Sequence, residues 1–302
     1  MRLYANLHSH STHSDGVYTP SELVKIAHDE GYKALALSDH DTVTGNAEIK
    51  AECAKYGMET IFAAEFTVNE GYHIVAMDFD PDYPKMKTYL EGMSFRETDQ
   101  TRILFERGLK EGFLHDITWQ NVLDDNAGIT WICNEQVFRS MKKRGLAVDK
   151  DYPAFFENVF GVHRGEVPPS FPFLDAVPMI RLIREAGGIA IHAHPQDQLK
   201  DAEKLVSEGL AGIEVWHSML SPAERNEALA LAETYDLFVS GGSDHEGICG
   251  GQYARLEEPE KSPWYAPPCT LGTTEYFFRE LKERRLFPDR RTAIHTAMEF
   301  SR

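Results

Sequence analysis

The chain has 302 residues, with 31 Lys+Arg against 48 Asp+Glu and a formal net charge of −17. Hydrophobic residues at 42% and charged residues at 26% exclude a disordered or fibrous chain, and at about 150 residues per domain the length predicts two domains, or one large α/β domain with an insertion. So acidic a surface repels polyanions, so stable duplex nucleic acid is not an expected partner, and no apolar run approaches the roughly 20 residues of a membrane span.

In chain order, residues 3–7 read as a strand with no signal-peptide pattern before them. Thr19-Pro20-Ser21-Glu22 opens a helix, with Thr19 as N-cap, Pro20 at the first helical position and Glu22 closing a capping box; Gly31 ends it. A strand is expected over 33–38, a helix over 46–56 stopped by Gly57, and strands near 60–64 and 72–79. From about 80 to 172 the pattern changes to polar helix formers, notably 95–110 and 137–143, with an exit marked by Pro168, Pro169 and Pro172. The strand–helix alternation then resumes: helix 174–186, strand 189–192, helix 200–208, strand 212–216, helix 222–235, strand 237–240, a loop over 257–268 and a helix over 274–284. Repeated units of this kind predict a parallel sheet. The expected fold is α/β, a closed or partly closed barrel of six or seven (β/α) units split by a mostly helical insertion, with a doubly wound sheet as the alternative. The expected divisions are 1–80, 81–172 and 173–302. The four cysteines, Cys53, Cys133, Cys249 and Cys269, form no CxxC and suggest free thiols in a reducing cytoplasm.

Thirteen histidines are generous for this length, and they fall at strand ends. His8-Ser9-His10 and then Asp15 follow the first strand; Asp39-His40-Asp41 follows the second; Glu65 follows the third and His73 opens the fourth. His192 and His194, Glu214 and His217, and Asp244-His245 end later strands. In a parallel barrel those ends converge on one face. Imidazole with carboxylate is the donor set for Zn, Mn or Fe. His8 and His10, two apart, share a face and can chelate one ion, while Glu65 is suited to bridge two. A site with several ions suits a displacement at phosphorus, in which a hydroxide held between the ions attacks in line.

The run His-x-His-Ser…Ser-Asp-Gly, then Ala-Leu-Ser-Asp-His-Asp-Thr, then Ala-His-Pro and Gly-Ser-Asp resembles the PHP (polymerase and histidinol phosphatase) superfamily, in its stand-alone bacterial phosphoesterase branch with a helical insertion. The resemblance covers residues 3–80 and about 174–250, and residues 7–45 carry it most specifically. It implies a distorted (β/α)7 barrel with two or three Mn, Fe or Zn ions. It also implies His8, His10, Glu65 and Asp244 at one ion, Asp15, His40 and the fourth motif's histidine at a second, and Glu65, His73 and His194 at a third. The last motif departs from the family's Asp-x-His: it reads Asp244-His245-Glu246, so His245 is a ligand only if the turn adjusts. Where insertion-bearing relatives carry a Gly-Arg-Pro-His-type segment, this chain has Thr130-Trp131-Ile132-Cys133-Asn134-Glu135, without Arg or His.

Phosphate also needs an organic cation, for which the arginine fork is suited. Arg164 is the first candidate, then Arg102 and Arg139, with His217 as a further substrate contact; Asp15 or His245 would handle the leaving-group proton. The expected function is hydrolysis of a small phosphorylated metabolite: a nucleotide, a nucleoside bisphosphate or a histidinol-phosphate-like compound. The alternatives are an amidohydrolase-like C–N or C–O hydrolase, a polymerase-associated exonuclease module, and a degenerate barrel that binds metal without catalysis. Oligomeric state is not legible.

Overall fold

The computed structural model describes residues 3–244 and 269–300. It is a mixed α/β fold. The first strands are β1 (Ala5–Asn6), β2 (Ala34–Leu35) and β3 (Glu59–Thr60), and they form a parallel sheet in the order β1-β2-β3. A second sheet holds β4 (Ala63–Thr67), β5 (His73–Met77), β6 (Ile189–His192), β7 (Gly212–Glu214) and β8 (Phe238–Ser240) in chain order.

The expectation of a uniformly parallel sheet is corrected here. β5 runs antiparallel to both neighbours, pairing Thr67 with His73 and Ile74 with His192. Only residues 68–72 join β4 to β5, and a link so short can make a hairpin but not the crossover of a dozen or more residues that a parallel pair needs. From β6 to β8 the pairing is parallel. The two sheets touch at both ends. A parallel bridge pairs His40 with Glu65, and Leu7 N–H donates to Gly241 O at 3.0 Å.

The first helix, α1 (Pro20–Glu30), has the anticipated ends. Thr19 Oγ1 accepts from Glu22 N–H, the Glu22 carboxylate accepts from Thr19 N–H, and Gly31 takes φ 99°. After α2 (Asn46–Lys55) and the hairpin come helices alone: α3 (Pro84–Glu111), α4 (Trp119–Asp125), α5 (Asn134–Lys143) and α6 (Tyr152–Phe155), followed by π and 3-10 turns to Glu166. α3 begins eleven residues before the expected position 95, with Pro84 in its first turn, and runs through Gly92, an unfavourable helix residue where a Cβ would lie 2.5 Å from the Phe171 ring. These helices share a core of their own that includes Leu104, Phe105, Val137, Phe138 and Phe160. The chain closes through α7 (Ala176–Glu185), α8 (Ala202–Ser207), α9 (Pro222–Thr234), α10 (Glu275–Glu283) and α11 (Arg290–Phe300). The last of these carries no strong sequence signal.

Alternation along β4 separates core from site. Ala64 and Phe66 enter the apolar cluster beneath α3 and α7, while Ala63 and Glu65 face the other way, Ala63 packing among Val75, Ile191 and Leu7. At the far end of the sheet, a Cβ on Gly242 would stand 2.3 Å from the His8 backbone nitrogen and 2.5 Å from its Cβ. Gly242→Ala is therefore expected to cost about 1–3 kcal/mol, the range for overpacking, read as a lowered urea midpoint. Gly165→Ala, where nothing lies within 4 Å, is the matched control; equal midpoints for the two variants would contradict the close-approach account.

Candidate metal centre

His8 and His10 lie beyond the end of β1, in chain that is extended but not paired as a strand. Their shared orientation comes from Ser9 between them. Its hydroxyl donates to Ala36 O at 2.8 Å, and its N–H donates to the Ser38 hydroxyl at 3.1 Å. Both imidazoles are fully buried, with Nε2 atoms 3.2 Å apart. Asp39 fixes the following loop, accepting from Ser11 N–H at 2.6 Å and from the Ser11 and Ser14 hydroxyls at 2.8 and 2.7 Å. That loop delivers Asp15. Asp244 arrives from the other side, its N–H donating to His8 O at 2.9 Å. Asp41, His194 and Asp244 take φ of 49°, 27° and 71°, so left-handed strain at non-glycine residues gathers around this centre, as it does at functional sites.

Glu65 is the hub. Its Oε2 lies 3.2 Å from His8 Nε2, 3.2 Å from His10 Nε2 and 3.3 Å from His40 Nδ1; its Oε1 lies 3.1 Å from His73 Nδ1 and 3.2 Å from His194 Nε2. Asp244 Oδ1 is 3.3 and 3.2 Å from the same His8 and His10 nitrogens. Asp15 Oδ1 is 3.3 Å from His10 Nδ1, and its Oδ2 is 3.8 Å from His40 Nε2. Donor atoms thus gather in sets that could each hold an ion: His8, His10, Glu65 and Asp244; His10, Asp15 and His40; and His40, Glu65 and His73.

The donor set fits divalent cations. Two donors each about 2.1 Å from one ion, at an angle near 100°, stand about 3.2 Å apart, which is the spacing seen. Hydrogen bonding alone leaves the cluster incomplete: among the described residues, Glu65 Oε2, His40 Nδ1 and His73 Nδ1 are buried without a hydrogen-bond partner, a costly state unless something else joins them. Burial alone would lower the His8 and His10 pKa values, but the surrounding carboxylates hold both well above the ordinary imidazole value. Glu65, which burial would raise, is held well below the usual carboxylate range by His8, His73 and His40. Burial pushes His40 down to about 4, so its ring is neutral at pH 7.

The structure therefore brings together His8, His10, Asp15, His40, Glu65, His73, His194 and Asp244. His245 lies outside the described residues. A cavity of about 380 Å³ opens beside the cluster, lined by Asp15, His40, His73, Trp131 and Arg164 among others; this is within the size range of small-molecule sites. Of the three candidate arginines, only Arg164 reaches it, paired there with Glu97. Arg102 lies outside, on the α3 surface, bonded to Asp99 at 2.9 Å and Glu106 at 2.8 Å, because its helical neighbours at i−3 and i+4 are acidic. Arg139 is also outside; it holds the Asp15 loop from behind through Thr12 O and Gly16 O, both at 3.4 Å. His217 is fully buried behind His8 and does not line the cavity. The Thr130–Glu135 stretch does face the site, with the Trp131 ring stacked 6.3 Å from that of His40. Among the other histidines, His192 turns away to bond Gln198 at 3.1 Å, and His13 bonds Thr44 at 2.8 Å. Glu214 had been read only as a strand-end carboxylate, yet it is fully buried 3.0 Å from His8 Nδ1. The signal for it was a lone acid between Ile213 and Val215 in an otherwise apolar strand.

Comparison with known proteins follows from this geometry. The PHP domain family model matches residues 6–125. The chain is 31% identical over 262 residues to a 5'-3' exoribonuclease of Haemophilus influenzae, covering 81% of this chain and 90% of that one. It is 28% identical over 257 residues to a 3',5'-nucleoside bisphosphate phosphatase of Chromobacterium violaceum, covering 79% and 86%. A solved structure from Bifidobacterium adolescentis, assigned as a metal-dependent phosphoesterase, superposes with a TM-score of 0.72 at 25% identity over 95% of this chain and 98% of that one.

Cations entering this cluster must displace protons from His8 and His10, whose metal-free pKa values are raised. Mn²⁺ affinity is accordingly expected to fall as pH drops from 8 to 6, with proton release. Calorimetry in two buffers of different ionisation enthalpy checks this, and a pH-independent affinity without proton release would contradict it.

Proposed function

The chain belongs to the PHP family, and from that premise we propose that it is a metal-dependent phosphoesterase acting on a small phosphorylated metabolite. The observation that carries the reading is Glu65, whose two oxygens meet five imidazole nitrogens within 3.3 Å. In this reading two or three Mn, Fe or Zn ions are held by His8, His10, Glu65 and Asp244, by Asp15 and His40 with His10 or His245, and by Glu65, His73 and His194. Such ions, when bound, polarise phosphoryl oxygens and bring the pKa of water toward neutrality. Mixed imidazole and carboxylate donors suit all three metals.

The chain's own residues supply the rest. Arg164, at the cavity wall, turns its fork to the equatorial phosphoryl oxygens as charge builds there. Asp15, with a third of its side chain exposed at the rim, takes a proton from the attacking water and passes it to the leaving alkoxide oxygen; His245 is the other candidate for this step. Trp131 and Phe173 give the cavity wall apolar surface against which the organic part of a substrate can pack. The cavity volume of about 380 Å³ admits a nucleotide-sized ester and favours a small substrate over a folded polymer. The fold reading that accompanies this is a distorted (β/α)7 barrel, its two sheets forming arcs, with divisions at 1–80, 81–172 and 173–302 and the helical core as the inserted part. Cytoplasmic location fits the buried free thiols of Cys53, Cys133 and Cys269.

A second reading is trimming of RNA from its 5' end, favoured by the Haemophilus influenzae relative. The −17 charge argues for short or single-stranded ends over duplex.

The test is phosphate release with Mn²⁺ from p-nitrophenyl phosphate and nucleoside mono- and bisphosphates, and mononucleotide release from a 5'-phosphorylated RNA oligonucleotide. Activity is expected on at least the small esters, and His10→Ala, Glu65→Gln and chelation should each reduce it about 100-fold or more, the scale of losing a principal charge-stabilising element. Arg164→Ala should lower kcat/KM about 10-fold or more, mainly through kcat, the scale of a charge-assisted hydrogen bond made in the transition state. Hydrolysis of carboxylic esters or amides alone would contradict the reading in favour of carbonyl chemistry, and bound metal with neither activity would leave a non-catalytic barrel.

A further inference from the structure

Behind the ion-facing side of the cluster lies a fully buried group, His8, Glu214 and His217, whose donor atoms are close enough to hold an ion of their own. The hydrogen bonds exclude that use. Met219 N–H donates to His217 Nδ1 at 3.2 Å. A nitrogen that accepts keeps its lone pair, so the neutral ring carries its proton on Nε2. That nitrogen is buried without a hydrogen-bond partner among the described residues and faces Asp244 Oδ2 at 3.5 Å. It can donate to the carboxylate and cannot ligate. The other oxygen, Asp244 Oδ1, is the one turned to His8 Nε2 and His10 Nε2 at 3.3 and 3.2 Å.

Glu214 divides its oxygens in the same way. Oε1 stands 3.0 Å from His8 Nδ1, which places the His8 proton on Nδ1 and leaves the Nε2 lone pair for the Glu65 side. Oε2 accepts from His194 N–H at 2.8 Å and so holds a backbone at φ 27°, where a non-glycine residue needs support. The pair is itself anchored, since the Arg225 guanidinium donates to His217 O at 3.0 Å.

We propose that Glu214 and His217, at the end of β7, are a positioning pair that fixes three ligands of the proposed metal centre, His8, His194 and Asp244, and that His217 touches neither ion nor substrate. The assignment rests on the metal reading above. Carboxylates and carbonyls that orient ligating histidines commonly contribute about 10–100-fold in metal affinity.

The test is Mn²⁺ titration followed by the free-ion paramagnetic resonance signal, on the unaltered protein, His217→Ala, His217→Gln and Glu214→Gln, with metal-free melting curves to confirm folding. His217→Ala should bind the same number of ions with affinity reduced about 10–100-fold. His217→Gln, which restores an N–H donor toward Asp244, should recover most of that loss. At saturating Mn²⁺, KM for p-nitrophenyl phosphate should be unchanged in His217→Ala. Unchanged affinity with a raised KM would make His217 a substrate residue, and loss of one bound ion would make it a ligand; either overturns the proposal. If His217→Ala does not fold, Glu214→Gln decides: reduced affinity at equal stoichiometry supports the pair, and unaltered affinity overturns it. A wild-type chain that binds no Mn²⁺ would bring down the metal reading and this inference together, whereas tight wild-type binding that His217→Ala leaves unaltered would bring down this inference alone.

Discussion

A carboxylate with no solvent exposure, ringed by five imidazoles, is the constraint around which the rest of this molecule is arranged. Glu65 cannot be stable there as an isolated anion, because moving a charge out of water is opposed by several kcal/mol or more unless it is paired. Nor do five rings all satisfy it by hydrogen bonding: His40 Nδ1 and His73 Nδ1 face its oxygens at 3.3 and 3.1 Å yet make no hydrogen bond among the described residues. In the proposed reading, cations shared between the carboxylate and the rings resolve both problems together. They also explain why histidines from the ends of β1, β2, β5 and β6 converge on one point.

The fold supplies that convergence by keeping its strands short. β1, β2 and β3 pair over two residues each, and the chain beyond them is released to bring side chains inward without leaving backbone groups unpaired. Ser9, Ser11, Ser38 and Asp39 take up backbone groups there. Gly242 lets the segment after β8 approach His8 closely. The helices of residues 84–166 then wall one side of the opening, contributing Trp131 and Arg164.

Much of this was legible in the sequence because it depends on local rules. The Thr19–Glu22 capping box, the Gly31 stop and the 189–192 strand follow from spacing alone, and the ligand set stands out because His and carboxylate recur at strand ends. What was not legible depends on tertiary context. The direction of β5 is set by the brevity of the 68–72 link, which a strand–helix rhythm does not register. α3 runs through Gly92, which disfavours a helix in the sequence and whose space the Phe171 ring fills. Arg102, Arg139 and Arg164 look alike as residues; only packing separates a helix-surface pair, a loop brace and a cavity wall. The roles of Glu214 and His217 turn on which nitrogen holds a proton, and that is decided by Met219 N–H, a backbone group with no sequence signature.

The central claim is that Glu65 bridges ions. Diffraction from crystals grown with Mn²⁺, recorded for its anomalous signal, addresses it most directly. The account predicts two or three peaks about 3.5–4 Å apart, the spacing of multi-metal hydrolase sites, with the Glu65 carboxylate between them and His8, His10 and Asp244 around one. An anomalous map that is empty around Glu65, or that places manganese only on the acidic exterior, would contradict it.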